Sequence, residues 1–283
     1  MLNPKFGASM LSWVSPQWNN DAGLYAIEKA ARTGFEIIEL CLPPTMQIDT
    51  KAVRSKLKQT GIQATCGLNL PKEAHIPSHP KEALLLLKKA IDKTEELEAH
   101  FLGGVLQGAI GVFTGASRTQ TDDQRLLDVW GESAHYALGK GIQIGIEPIN
   151  RYETYVCTSA AEVLALFQQL HAPNLVLHLD TFHMNIEENG FYDPVIAGKE
   201  KLKYIHATDS DRGMLGEANV HWDDFFRALS EINYTHPLVL ENFTNQVPGI
   251  KGPTSLWRPS KYDADTLAKG SLAFLQKMVE KWG

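Results

Sequence analysis

Short apolar runs rich in β-branched residues alternate along the chain with longer stretches in which apolar residues recur every three or four positions. The first pattern is that of strands buried on both faces, the second that of amphipathic helices. Eight strand-like runs stand out, at 6–13, 36–42, 63–70, 100–106, 143–149, 175–183, 204–208 and 237–243. Helical spacing covers 21–33, 49–60, 79–99, 122–140, 159–170, 222–232 and 263–282. After the sixth run Asn189-Gly190 breaks the pattern and only 193–199 reads as helix. Gly34, Gly61 and Gly141 stand just before runs two, three and five, where a helix commonly ends in a left-handed residue. Strand then helix, repeated around the chain, predicts an α/β fold of the (β/α)8 or TIM-barrel class, as a single domain over 1–283. An open doubly wound sheet is the alternative, but no GxGxxG loop follows the first run. Two segments rich in Gly, Ser, Thr and Pro, 107–121 and 245–262, are long enough to act as lids over the barrel mouth.

Composition narrows the partners. With 43% hydrophobic and 21% charged residues over 283 positions, the chain can fill one large core. A formal net charge of -6 disfavours nucleic acid, whose phosphates require clustered Lys and Arg, and favours a small neutral molecule. Cys41, Cys66 and Cys157 lack CxxC spacing, so a reducing compartment is expected rather than a disulfide framework or structural zinc site. The start, from Met1 to Phe6, carries no signal-peptide pattern. No apolar run reaches the ~20 residues of a membrane span. The expectation is a cytoplasmic protein with no membrane partner.

Candidate chemistry gathers where runs five to eight end. Run five leads into Gly145-Ile-Glu-Pro-Ile-Asn-Arg-Tyr-Glu153, with Glu147 set among isoleucines. Asp180, His206 and Glu241 close the next three runs, at spacings of 33, 26 and 35 residues. Each alone reads as a cap or an ion-pair partner. Together, at the carboxyl ends of consecutive barrel strands, they should converge on one face. Three clustered carboxylates repel one another without a cation. With one imidazole they suit a hard or borderline ion such as Mn2+, Mg2+ or Co2+. The histidines at 75, 79, 100, 135, 171, 178, 221 and 236 show no such pairing and read as surface or packing residues, and His183 reads equally as packing or site. Trp13, Trp18, Trp222 and Trp257 read as core or lid.

These residues resemble the ketose 3-epimerases, the D-tagatose and D-psicose (allulose) 3-epimerase family of xylose isomerase-like barrels. The likeness rests on Glu147-Pro-Ile-Asn-Arg-Tyr-Glu153 and on Asp180-Thr-Phe-His-Met-Asn-Ile-Glu-Glu188. It continues in His206 six residues before Arg212, in Glu241 and in the tail Ser255-Leu-Trp-Arg258. The resemblance implies that Glu147, Asp180, His206 and Glu241 hold a divalent metal, Mn2+ first, with Co2+ or Mg2+ as alternatives. It also implies that Glu153, His183 and Arg212 bind the oxygens on carbons one to three of a ketose, with Gly67 as a further substrate contact. A homo-oligomer, dimer or tetramer, is expected on the same ground. Two loops depart from the family pattern: 103–109 lacks a tryptophan after strand four, and 213–220 lacks a proline-glycine form. Both would hold carbons four to six, so they bear on sugar preference.

The reaction expected is inversion at C3 of an unphosphorylated ketose through a cis-enediolate, with Glu147 and Glu241 as the two acid–base groups. Aldose–ketose or hydroxypyruvate-type isomerisation on the same site is the alternative. A metal-dependent phosphodiesterase for abasic DNA would need more histidine ligands and a basic face, and a purely structural metal barrel would convert no sugar.

Overall fold

The computed structural model describes residues 2–283. Eight parallel strands close into a barrel in sequence order, β8 returning to β1. They are β1 (Phe6–Ser9), β2 (Ile37–Cys41), β3 (Gln63–Gly67), β4 (Phe101–Gly104), β5 (Gln143–Ile146), β6 (Leu175–Asp180), β7 (Leu202–Ala207) and β8 (Leu238–Leu240). The helices are α1 (Asn20–Thr33), α2 (Thr50–Thr60), α3 (Pro80–Glu96), α4 (Gln120–Leu138), α5 (Ala160–Phe167), α6 (Thr181–Glu187), α7 (Asp193–Gly198), α8 (Trp222–Glu231) and α9 (Ala264–Trp282).

Local chemistry explains the boundaries. The Asn19 side chain accepts the Ala22 N–H to start α1, and Gly34 ends it at φ 104. Capping boxes at Thr119 with Asp122 and at Ser159 with Glu162 start α4 and α5. The structure departs from the sequence reading after the sixth run, which was expected to stay extended to residue 183. Instead the Asp180 carboxylate accepts the Phe182 N–H and opens α6, so His183 sits on a helix. An N-cap acid here overrides an apolar run that looks like strand.

Strand alternation sorts side chains between the barrel interior and the helical layer. Phe101, Val176, Tyr204 and Val239 plug the interior, with the Phe101 and Tyr204 rings stacked at 3.9 Å. Gly103 and Gly145 make the room: a Cβ on either would lie 2.5 Å from the Phe101 ring. Two residues further along these strands the same inward face carries Asp180, His206 and Glu241 above Val176's neighbour His178, Tyr204 and Val239. Among the described residues no helix is long and apolar enough to cross a membrane.

Candidate active site at the carboxyl end of the barrel

Asp180 closes β6 and His206 lies near the end of β7, while Glu147 and Glu241 each stand one residue past β5 and β8. The four meet. His206 Nδ1 is 3.4 Å from Glu147 Oε1 and 3.7 Å from Glu241 Oε1. Arg212 Nη1 lies 2.5 Å from Glu241 Oε2 and 3.7 Å from Asp180 Oδ2. Glu147, Asp180 and His206 are all at most 5% exposed.

Burial pushes the Asp180 carboxyl up to about 8, against the pull of Arg212 and with the help of the Glu241 and Glu147 charges. Burial likewise raises Glu147 despite the nearby His206. For His206, burial alone would lower the pKa, but Glu39, Glu241 and Glu147 outweigh it and hold the ring well above its ordinary value. A cluster that strains to keep protons is one that a cation would relieve.

The donor set fits a divalent metal. Asp180 Oδ2 and His206 Nδ1 are buried with no hydrogen-bond partner, and buried polar atoms of that kind call for an ion or water. Three overlapping groups have ligand atoms within 4.8 Å of one another: Glu147, His178 and His206; Glu39, His206 and Glu241; and Glu147, Asp180 and His183. None equals the four residues expected from sequence, but each of the four falls in at least one.

Around this centre the expected substrate contacts gather. A cavity of about 350 Å³ is lined by Gly67, Glu147, Glu153, His183, His206, Arg212 and Glu241. The Asn150 N–H donates to His183 Nδ1 at 3.1 Å, and the Asn150 amide does so at 3.0 Å. Nδ1 therefore accepts, and the proton sits on His183 Nε2. Burial, then the Arg212 and His206 charges, keep this ring well below its ordinary pKa, so it is a neutral donor. Asn150 Nδ2 also donates to Glu153 Oε1 at 2.9 Å. Arg151 and Glu187 pin the loop after β5 to α6 through a forked ion pair.

Arg212 has φ 57 in the loop after β7. That loop winds about the buried Asp209, whose carboxylate accepts from the Ser210, Gly216 and Val220 amides and from Trp222 Nε1. The guanidinium lies over the Phe182 ring, 3.9 Å from its centroid.

The sequence reading missed Glu39, which is 2% exposed and bonded to His206. Its signal was available: one carboxylate inside the apolar run Ile37-Ile-Glu-Leu-Cys41, as at Glu147. His178, read as surface or packing, is packing of a particular kind. It stands inside the barrel, its Nδ1 3.9 Å from Glu147 Oε2 and both ring nitrogens without partners. A larger groove of about 960 Å³ opens at the amino end of the barrel, with the exposed Lys5, Lys51 and Lys58 at its rim. Convergent buried acids mark the smaller cavity as the site.

Comparison with known proteins identifies the family. The xylose isomerase-like TIM barrel family profile matches residues 27–278. An L-ribulose 3-epimerase of Methylomonas sp. is 35% identical, covering 96% of this chain and 97% of its own length. A ketose 3-epimerase of Arthrobacter globiformis is 32% identical, covering 96% of each. The crystal structure of a Methylomonas D-allulose 3-epimerase in complex with D-allulose superposes with a TM-score of 0.91 at 33% identity, covering 98% of both chains. The chain thus belongs to the xylose isomerase-like TIM barrel family and, within it, to the ketose 3-epimerases.

Proposed function

We propose that this chain is an isomerase that inverts C3 of a free ketose, using a divalent cation held by Glu147, Asp180, His206 and Glu241, with Mn2+ the first choice. The observation that carries the reading is the pair of carboxylates from the ends of β5 and β8 that flank His206 Nδ1 at 3.4 and 3.7 Å. When bound, the cation supplies Lewis acidity that makes the C3–H beside the carbonyl easier to remove. Glu147 and Glu241 are the two proton carriers: one takes the proton from C3 and the other returns one to the opposite face. Burial, which raises the Glu147 carboxyl above the ordinary carboxylate range despite His206, suits a group that must both take up and return a proton.

The remaining residues orient the sugar. His183 Nε2–H and the Arg212 guanidinium donate to oxygens at C1 to C3, and they meet the negative charge of the enediolate. Glu153, fixed by Asn150, accepts from the O1 hydroxyl. Gly67 lets the sugar approach the backbone of β3.

The test is product analysis after incubating the Mn2+-loaded protein with D-tagatose, D-fructose, D-psicose and L-ribulose in heavy water. Deuterium at C3 of the C3 epimer is the expected outcome. An aldose product would move the chain to the isomerase alternative, and no exchange with metal bound would sink the reading.

A further inference from the structure

Glu39 takes no part in the reaction above, yet three side chains are arranged about it in one direction of hydrogen bonding. Tyr204 Oη donates to Glu39 Oε2 at 3.0 Å. The Tyr204 proton is thereby committed, so in the 2.7 Å bond between Thr65 Oγ1 and Tyr204 Oη the threonine is the donor. His206 Nε2 lies 2.9 Å from the same Oε2. A carboxylate oxygen only accepts, so Nε2 carries a proton that Glu39 holds in place. The other nitrogen, Nδ1, lies 3.4 Å from Glu147 Oε1 and 3.7 Å from Glu241 Oε1 and forms no hydrogen bond with either. Nδ1 is the nitrogen left open: once its proton has gone to solvent or a neighbouring carboxylate, its lone pair is available to a metal. Glu39 Oε2, with two donors already on it, is not free in the same way. Gly67 leaves the carboxylate its place: a Cβ there would lie 3.3 Å from Glu39 Cδ and Oε1.

We propose that Glu39 is a positioning residue of the metal centre: by accepting the Nε2 proton it fixes the tautomer and orientation of His206 and commits Nδ1 to the divalent cation. This rests on the metal reading given under the proposed function. A carboxylate behind a histidine ligand orients the ring and strengthens it as a donor, and loss of such a partner typically costs about 10–100-fold in metal affinity.

Measurements on the full chain test this separately from the metal reading. With diamagnetic Zn2+ bound and histidine labelled with 15N, long-range proton–nitrogen spectra should place the His206 proton on Nε2. A proton on Nδ1 would overturn the proposal without recourse to any variant. Mn2+ affinity, measured by competition with a chelator, should fall about 10–100-fold in Glu39→Gln, while Asp180→Asn should lose the ion. If Asp180→Asn loses Mn2+ and Glu39→Gln binds it as the wild type does, the assignment of Glu39 fails and the metal reading stands. Wild-type affinity in Asp180→Asn would remove the metal reading and this proposal with it.

Discussion

Strands β5 to β8 and the segments that follow them bring Glu147, Glu153, His183, His206, Arg212 and Glu241 to the cavity, whereas β1 to β4 and the loops after them, apart from Glu39 and Cys41 of β2, face it mostly with apolar residues such as Leu11, Trp18, Leu42, Pro43, Leu68 and Ile110. The two halves are also held differently. On the ionisable side several groups have a fixed partner, Asn150 on His183, Phe182 and Glu241 on Arg212, Asp209 on the loop that carries it, while Asp180 Oδ2 and His206 Nδ1 are left without one. The apolar side is held by packing and lies partly open, with Ile110 44% exposed. A reaction that moves a proton between defined faces of one carbon needs groups locked within fractions of an ångström. Recognition of a sugar's tail needs only a wall of suitable shape. The difference is one of support: hydrogen bonds and ion pairs fix the ionisable half and packing holds the apolar half, and on the proposed function the reacting carbons are expected at the first and the sugar's tail at the second.

The strongest way to break this division is on the ionisable side. Glu147→Gln and Glu241→Gln should each lower C3 proton exchange by about 10²–10⁴-fold, with the circular dichroism of the barrel unchanged. Near-normal exchange in either variant would remove that residue from the pair of proton carriers. A smaller effect is expected from Arg212→Ala. Losing its charge-assisted hydrogen bonds, worth about 1.5–3 kcal/mol, should lower kcat/KM roughly 10–100-fold while bound Mn2+, counted by atomic spectroscopy, stays at the wild-type level. Metal lost along with activity would show that Arg212 holds the centre together rather than the substrate. The smallest effect belongs to the apolar half. Ile110→Ala should shift the ratio of KM values for six-carbon and five-carbon ketoses by about tenfold, the low end for an apolar contact because the side chain is 44% exposed, with kcat nearly unchanged. A collapse of kcat there would mean the halves are not separable.

Much of the site was legible because its signals are local. An acid or histidine closing an apolar run says both that the run is a strand and where the barrel will deliver the side chain. His183 was harder, since Asp180 turns the chain into α6 and the helix, not a strand, presents the ring. His178 has no local signal at all: its place beneath Glu147 follows from the packing of Phe101 and Tyr204 about it.

By itself the sequence determined the barrel and the convergence of Glu147, Asp180, His206 and Glu241, because strand period, helix caps and the order of elements suffice to bring strand ends to one face. Only the tertiary structure decided which nitrogen of His206 is held and which is left open. That choice rests on Glu39, 167 residues away in the chain, and on Tyr204 and Thr65 behind it. A hydrogen bond between residues so distant leaves no period or spacing in the sequence; it exists only once the barrel has closed β2 and β7 about a common interior.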